Sequence, residues 1–180
     1  VKPGQAAEVE LKFRNLAACD VKVYRVDLVK FALFERGLGG IARINLAGIR
    51  PQFETAVPLG DGRDYRDRSQ KLPLPIKKEG AYLVVCRGEN LHASGLVLVT
   101  PLAVEVQVEA ESGQVRTTLK DDVTGRYVGN AQIRVIGTGN EDFVAGATDP
   151  RGVFVAEGLK LVDPAPVLVI TSGLSWKLTS

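Results

Sequence analysis

The hydrophobic pattern of this chain is dominated by a period of two. In Ala7-Glu-Val-Glu-Leu-Lys-Phe, the apolar Ala7, Val9, Leu11 and Phe13 alternate with Glu8, Glu10 and Lys12, which predicts a strand with one face in a core and the other in water. Val21-Lys-Val-Tyr-Arg-Val puts Val21 and Val23 on one face and Tyr24 and Val26 on the other, the pattern of a strand that is covered on both sides or bulged. Further β-rich runs follow at Phe53-Glu-Thr-Ala-Val-Pro-Leu, Ala81-Tyr-Leu-Val-Val-Cys and Leu91-His-Ala-Ser-Gly-Leu-Val-Leu-Val. Pro58 confines the first of these to a sheet edge, and Arg87-Gly-Glu-Asn reads as a four-residue hairpin connection between the other two. The prolines of Ser69-Gln-Lys-Leu-Pro-Leu-Pro-Ile permit an extended backbone but supply few ladder donors.

One segment changes period. Leu28, Phe31 and Phe34 recur at three-residue steps, Asp27 is placed to cap the start and Gly37 to end the turn, so a short helix is expected over 27–36 across one end of a sandwich. Gly39-Gly40 and Asn45-Leu-Ala-Gly-Ile-Arg-Pro read as an irregular crossover. Thr100-Pro101 marks a boundary, because the alternating run Leu102-Ala-Val-Glu-Val-Gln-Val begins at once with almost no linker. Beyond it lie Gly113-Gln-Val-Arg-Thr-Thr-Leu, Asn130-Ala-Gln-Ile-Arg-Val-Ile, Asp142-Phe-Val-Ala-Gly-Ala-Thr, Gly152-Val-Phe-Val-Ala and Pro166-Val-Leu-Val-Ile. The expected fold is therefore all-β, with two tandem antiparallel β-sandwich modules of immunoglobulin-like or prealbumin-like kind. Residues 1–100 form the first, with its helix near 27–36, and residues 101–180 the second.

Composition narrows the function classes. Lys and Arg number 23 against 21 Asp and Glu, for a formal charge of +2, and the basic residues are interspersed with acidic ones, so no nucleic-acid footprint is present. No stretch reaches the roughly 18 apolar residues of a membrane-spanning helix. The opening Val1-Lys-Pro-Gly already reads as the lead-in to a strand, which implies a piece cut from a longer chain.

Two passages carry a resemblance. Asp122-Val-Thr-Gly-Arg-Tyr-Val-Gly-Asn-Ala-Gln-Ile-Arg-Val, followed by Thr148-Asp-Pro-Arg-Gly-Val-Phe-Val, resembles prealbumin-like and carboxypeptidase-regulatory-like sandwiches and the B-type repeats of collagen adhesins. Thr124-Gly125 makes a tight turn, Ala131 packs where a larger side chain would collide, and Asp149 with Gly152 shapes the turn into the next strand. Lys78-Glu-Gly-Ala-Tyr-Leu-Val-Val, then Ala93-Ser-Gly-Leu-Val-Leu-Val-Thr-Pro-Leu-Ala-Val-Glu-Val, is similar in order to the N-terminal region of bacterial alpha-2-macroglobulin-like proteins, over residues 76–156. That resemblance implies macroglobulin-type domains in a large periplasmic, secreted or cell-surface protease inhibitor. The partners implied are neighbouring domains of the same longer chain, and proteases through the full-length protein. It also implies a structural role with no catalysis and no cofactor. The family's Cys-Gly-Glu-Gln thioester motif is absent: Cys86 is followed by Arg87-Gly-Glu-Asn, with the wrong spacing and no glutamine to close the ring.

The remaining candidates are few. Asp61, Asp64 and Asp67 recur in a glycine-punctuated loop that would suit calcium, but Arg63, Arg66 and Arg68 interleave and pair with carboxylates without any metal. An adhesin or carbohydrate-binding module reading through this loop is the alternative function. Cys19 and Cys86 lack metal-site spacing, and a disulfide within the first module requires their strands to lie side by side. His92 is the single histidine, with Ser94 on the same strand face but no nucleophile turn around it. Lys120, Asn130 and Asn140 are candidates for an adhesin-type isopeptide, though none sits in the first-and-last-strand pair. Tyr127 and Trp176 would suit either a binding surface or packing.

Overall fold

The computed structural model describes residues 1–27, 46, 48–137, 139–161, 167–171 and 176–179. The helix expected over 27–36 falls on residues that, apart from Asp27, lie outside the described ones. Among the described residues all regular structure is strand, and the chain divides into two compact units, one taking in Pro3–Asp27 and the stretch that ends at Val99, the other Lys2 and the stretch from Thr100 onward.

The first unit contains β1 Ala7–Phe13, β2 Ala18–Val26, β3 Phe53–Pro58, β4 Arg68–Leu74, β5 Gly80–Gly88 and β6 Leu91–Val99. They form a four-stranded antiparallel sheet in the order β3-β2-β5-β6 and a two-stranded sheet of β1 with β4. The alternation of β1 does what its sequence predicts: Ala7 is buried and Val9, Leu11 and Phe13 are packed against the core, while Glu8, Glu10 and Lys12 are exposed. Leu74 and Leu72 of β4 complete that layer. Facing it are Cys19, Val21 and Val23 of β2, Val57 of β3, Tyr82 and Val84 of β5, and Val97 and Val99 of β6. Tyr24 and Leu83, pointing the other way, are buried as well. Both faces of the central strands are thus covered, as the two-sided pattern of β2 requires.

β4 is extended, as the prolines of Ser69–Ile76 permit, and it forms a ladder despite them. Its register with β1 runs from Ala7↔Leu74 to Phe13↔Arg68, and Pro73 is accommodated because β4 is an edge with only one neighbour. The connection between β5 and β6 is also tighter than expected. Gly88 still pairs with Leu91, leaving the two residues Glu89-Asn90, with Glu89 in the left-handed region at φ 51°.

The second unit contains β7 Leu102–Glu109, β8 Gln114–Asp121, β9 Gln132–Gly137, β10 Val144–Ala147, β11 Val153–Ala156, β12 Val167–Thr171 and β13 Trp176–Thr179. Sheets of order β11-β8-β7 and β10-β9-β12-β13 face each other across a core. Val115, Leu119 and Ala156 contribute from the first, and Ile133, Val135 and Val169 from the second. Each fully buried valine or leucine of such a layer is worth about 1.5–3 kcal/mol relative to exposure. The expected tandem of antiparallel sandwiches is the observed fold.

Candidate functional site

The turns that carry the sequence motifs of the second unit are built for shape. Asp121 Oδ1 accepts the N–H groups of Val123 and Thr124, both at 2.8 Å, and Gly125 follows at φ 75°. Asp149 Oδ1 accepts from the N–H of Arg151 and of Val153, both at 2.9 Å, while Oδ2 takes the Arg151 guanidinium. The N–H of Val153 first, and then Arg151, hold the Asp149 carboxyl below its ordinary value against the desolvation that raises it. Gly152 sits at φ 73°, and a Cβ there would stand 2.5 Å from the Leu119 carbonyl oxygen, so no other residue fits this turn without strain.

A buried threonine missed by sequence reasoning ties these turns together. Thr148, 2% exposed, accepts the Ala131 N–H at 3.0 Å and donates its hydroxyl to the Val128 carbonyl at 2.7 Å. Asp121 Oδ1, Asp149 Oδ1 and the Thr148 hydroxyl are all engaged with backbone, and Asp149 Oδ2 with Arg151. Lys120 is exposed on β8, and the Asn140 side-chain oxygen accepts the Lys160 N–H at 2.8 Å, so neither is arranged as a crosslink partner in a core. Tyr127 is 59% exposed beside the mixed charges of Glu105, Arg116 and Arg151.

In the first unit the loop of Asp61, Asp64 and Asp67 draws only Asp64 inward, while Asp61 and Asp67 stay exposed. Asp61 Oδ1 accepts the Arg63 N–H at 3.2 Å. Asp64 pairs with the Arg68 guanidinium and accepts the Arg66 N–H. Desolvation raises the Asp64 carboxyl, but the Arg68 hydrogen bond, the Arg66 N–H and the Arg68 charge together hold it below its ordinary value. Asp67, 89% exposed, lies 4.0 Å from Arg14. The three therefore do not converge, and among the described residues no group of three or more His, Cys, Asp or Glu side chains is placed to hold a metal. The loop is instead pinned to the β1–β2 turn, through Tyr65 N–H to Asn15 Oδ1 at 2.7 Å and Leu59 N–H to the Ala17 carbonyl at 2.8 Å.

That pinned end of the sandwich holds a cleft of about 270 Å³ between β1 and β6. Its walls are Leu11 and Phe13 of β1, Leu16 of the following turn, Leu59 beyond β3, and Leu91 of β6, and its floor carries Cys19 and Cys86. Lys12 and Arg14 stand at its mouth, and no carboxylate lines it. A larger concavity of about 580 Å³ surrounds the Arg14–Asp67 pair but is shallow and rimmed by charged side chains; the apolar cleft is the better-formed recess.

The register explains the two thiols. Val21 pairs with Cys86, so Cys19, two residues earlier on β2, shares the inner face with Cys86 in a diagonal position. Diagonal partners stand roughly 7–8 Å apart, whereas a disulfide spans Cα atoms about 4.4–6.8 Å apart. Both are free thiols. Burial, and secondarily the neighbouring Cys19, pushes the Cys86 thiol up to about 11, and burial followed by Asp20 raises Cys19. Both are protonated at neutral pH and are poor nucleophiles. His92 pairs with Arg87 and Ser94 with Val85, and Asp20, the acidic residue of that row, pairs with Arg87 from the other side of β5, so Arg87 stands between it and His92.

No family profile matches the chain, and no curated protein matches it either. Solved structures do. The fold superposes on a crystal structure of native alpha-2-macroglobulin from Escherichia coli spanning domains MG0-NIE-MG1, with TM-score 0.72 and 15% identity over 99% of this chain. The chain spans 60% of the length of that fragment. It also superposes on a fragment of the same protein spanning domains NIE-MG1, with TM-score 0.66 and 14% identity over 95% of this chain and 86% of the other. At such identities the likeness is one of fold.

Proposed function

We propose that this chain is a non-catalytic pair of scaffold domains from a larger bacterial alpha-2-macroglobulin-like protein, occupying the place of the NIE-MG1 pair. The observation that carries this reading is a single superposition that takes in 99% of the chain and therefore both sandwiches in the same order. The sandwiches supply packed faces, and short turns made rigid by Asp121 and Asp149, which suits domains that hold neighbours in place. In this reading the partners are adjoining domains, proteases are engaged only by the full-length protein, and the location is periplasmic, secreted or at the cell surface. The adhesin alternative draws on the Asp61–Arg68 loop, where Asp61 and Asp64 are held by loop partners and Asp67 points away toward Arg14, so the three carboxylates do not converge on a ligand.

The test compares three preparations in a protease-trapping assay: the native full-length protein, the same protein lacking these 180 residues, and the isolated chain. Trapping by the intact protein, its loss on deletion, and inactivity of the isolated chain are expected. Protease inhibition or hydrolysis by the isolated chain would overturn the scaffold reading, as would a native protein that traps nothing.

A further inference from the structure

Edges are where a sandwich is exposed to pairing with other strands, and folded proteins guard them with charge, proline or brevity. Most edges of this molecule follow that rule. β3 carries Glu54 and Pro58, β4 carries Lys71 and Pro73, β7 carries Glu105 and Glu109, β13 carries Lys177, and β10 and β11 have four residues each. β6 does not. It is the outer strand of its sheet, nine residues long, and Leu91-His-Ala-Ser-Gly-Leu-Val-Leu-Val contains neither proline nor a Lys, Arg, Asp or Glu.

The unguarded strand is open over its first half. Leu91 is 64% exposed and His92, Ala93 and Gly95 are exposed, whereas Val97 and Val99 are buried. Among the described residues no further strand pairs with β6; the Val1 amino group donates to the Leu98 carbonyl at 2.9 Å, away from the open half. Beneath this open half lies the apolar cleft, with Lys12 and Arg14 at its mouth. Lys12 has no acidic partner among the described residues, and Arg14 has only Asp67 at 4.0 Å.

We propose that the open half of β6 and the cleft beneath it form a docking site for an extended acidic-apolar segment of another polypeptide, which adds to the sheet as a further strand. Main-chain hydrogen bonds to Leu91–Gly95 supply affinity, and alternate apolar side chains enter between Leu11, Phe13 and Leu91. Carboxylates of the guest meet Lys12 and Arg14. The cleft's 270 Å³ falls below the roughly 300–1,000 Å³ that encloses a whole small-molecule ligand and suits side chains projecting from a strand. A second copy pairing through its own β6 meets the need for a strand but brings no carboxylate, since Leu91–Val99 has none.

The probe is a blocked synthetic peptide of alternating leucine and glutamate, titrated against the whole chain at low salt. Its leucine–lysine counterpart and a version N-methylated at alternate residues serve as comparisons. Binding of the glutamate peptide is expected, with at least tenfold weaker binding of the other two. The Lys12→Glu, Arg14→Glu double variant should reverse the order and prefer the lysine peptide, a gain that misfolding cannot produce. Failure of the glutamate peptide to bind, indifference to N-methylation, or an unchanged preference in the charge-reversed variant would each overturn the proposal. So would a concentration-dependent dimer, absent in Ala93→Pro, that competes with the peptide.

Discussion

Among the described residues, Thr117 is where the second core departs from hydrocarbon without compensation. It lies on the inner face of β8 between Val115 and Leu119, is 0% exposed, and its hydroxyl has no hydrogen-bond partner among the described residues. Thr148, equally polar and nearly as buried, places both its donor and its acceptor. An unpaired buried hydroxyl costs about 1–3 kcal/mol in mutational series, and valine reproduces the shape of threonine without it. Thr117→Val is therefore expected to stabilise the second unit by about 1 kcal/mol in urea unfolding; a destabilised variant would mean that the hydroxyl is satisfied. Cys86 shows the opposite case, a polar group kept neutral by its surroundings. With its thiol at about 11, Cys86 should react with iodoacetamide at pH 8 about tenfold or more slower than in the unfolded chain, where the thiol titrates near 8.5. Alkylation at the unfolded rate would show that the cleft floor is open to reagent and solvent.

The turns are the elements on which folding of the second unit depends. Because the ionised Asp149 carboxylate is the form favoured by the folded turn, its contribution is full above the unfolded value near 3.9 and is lost as pH falls through the lower folded value. An asparagine in its place would mimic the protonated carboxyl in shape and lack the charge. Asp149→Asn should therefore melt below the parent protein at pH 7, with the gap closing as the solution is acidified toward about pH 2–3; a gap that persists in acid would place the role of Asp149 in its shape alone. How much of this was legible in the sequence depends on range. The β1 alternation, the edge position of Pro58 and the Asp149–Gly152 turn are local, and each appears in the structure as its residues imply. β4 was harder to read, because Pro73 argues against a ladder until the absence of a second neighbour is known. Pairing of β2 between β3 and β5 depends on contacts across dozens of residues, and nothing in the local pattern specifies it. For the same reason the diagonal placement of Cys19 and Cys86, the inward turn of Asp64 to Arg68, and the cleft between β1 and β6 emerge only from the fold.

At the scale of the molecule, the decisive feature is that the two cores have no residue in common. Cys19, Val23 and Val84 belong to one buried cluster, and Leu119, Val135 and Val169 to the other. Removing two methyl groups from either core leaves a void that close-packed neighbours fill only in part, at a cost of about 1.5–3 kcal/mol. Val84→Ala and Val135→Ala should thus each weaken their own unit, and in combination add to within about 0.5 kcal/mol. The chain carries its own reporters for the two units: Cys86 lies on β5 in the first, and Trp176, the single tryptophan, begins β13 in the second. In a guanidinium titration, Val135→Ala is expected to move the fluorescence transition to lower denaturant while Cys86 stays protected to the parent midpoint. Val84→Ala should bring forward Cys86 alkylation and leave the fluorescence transition in place. If either substitution instead shifts both signals equally, folding of the two sandwiches is coupled beyond what their separate cores require, and the chain unfolds as a single cooperative block.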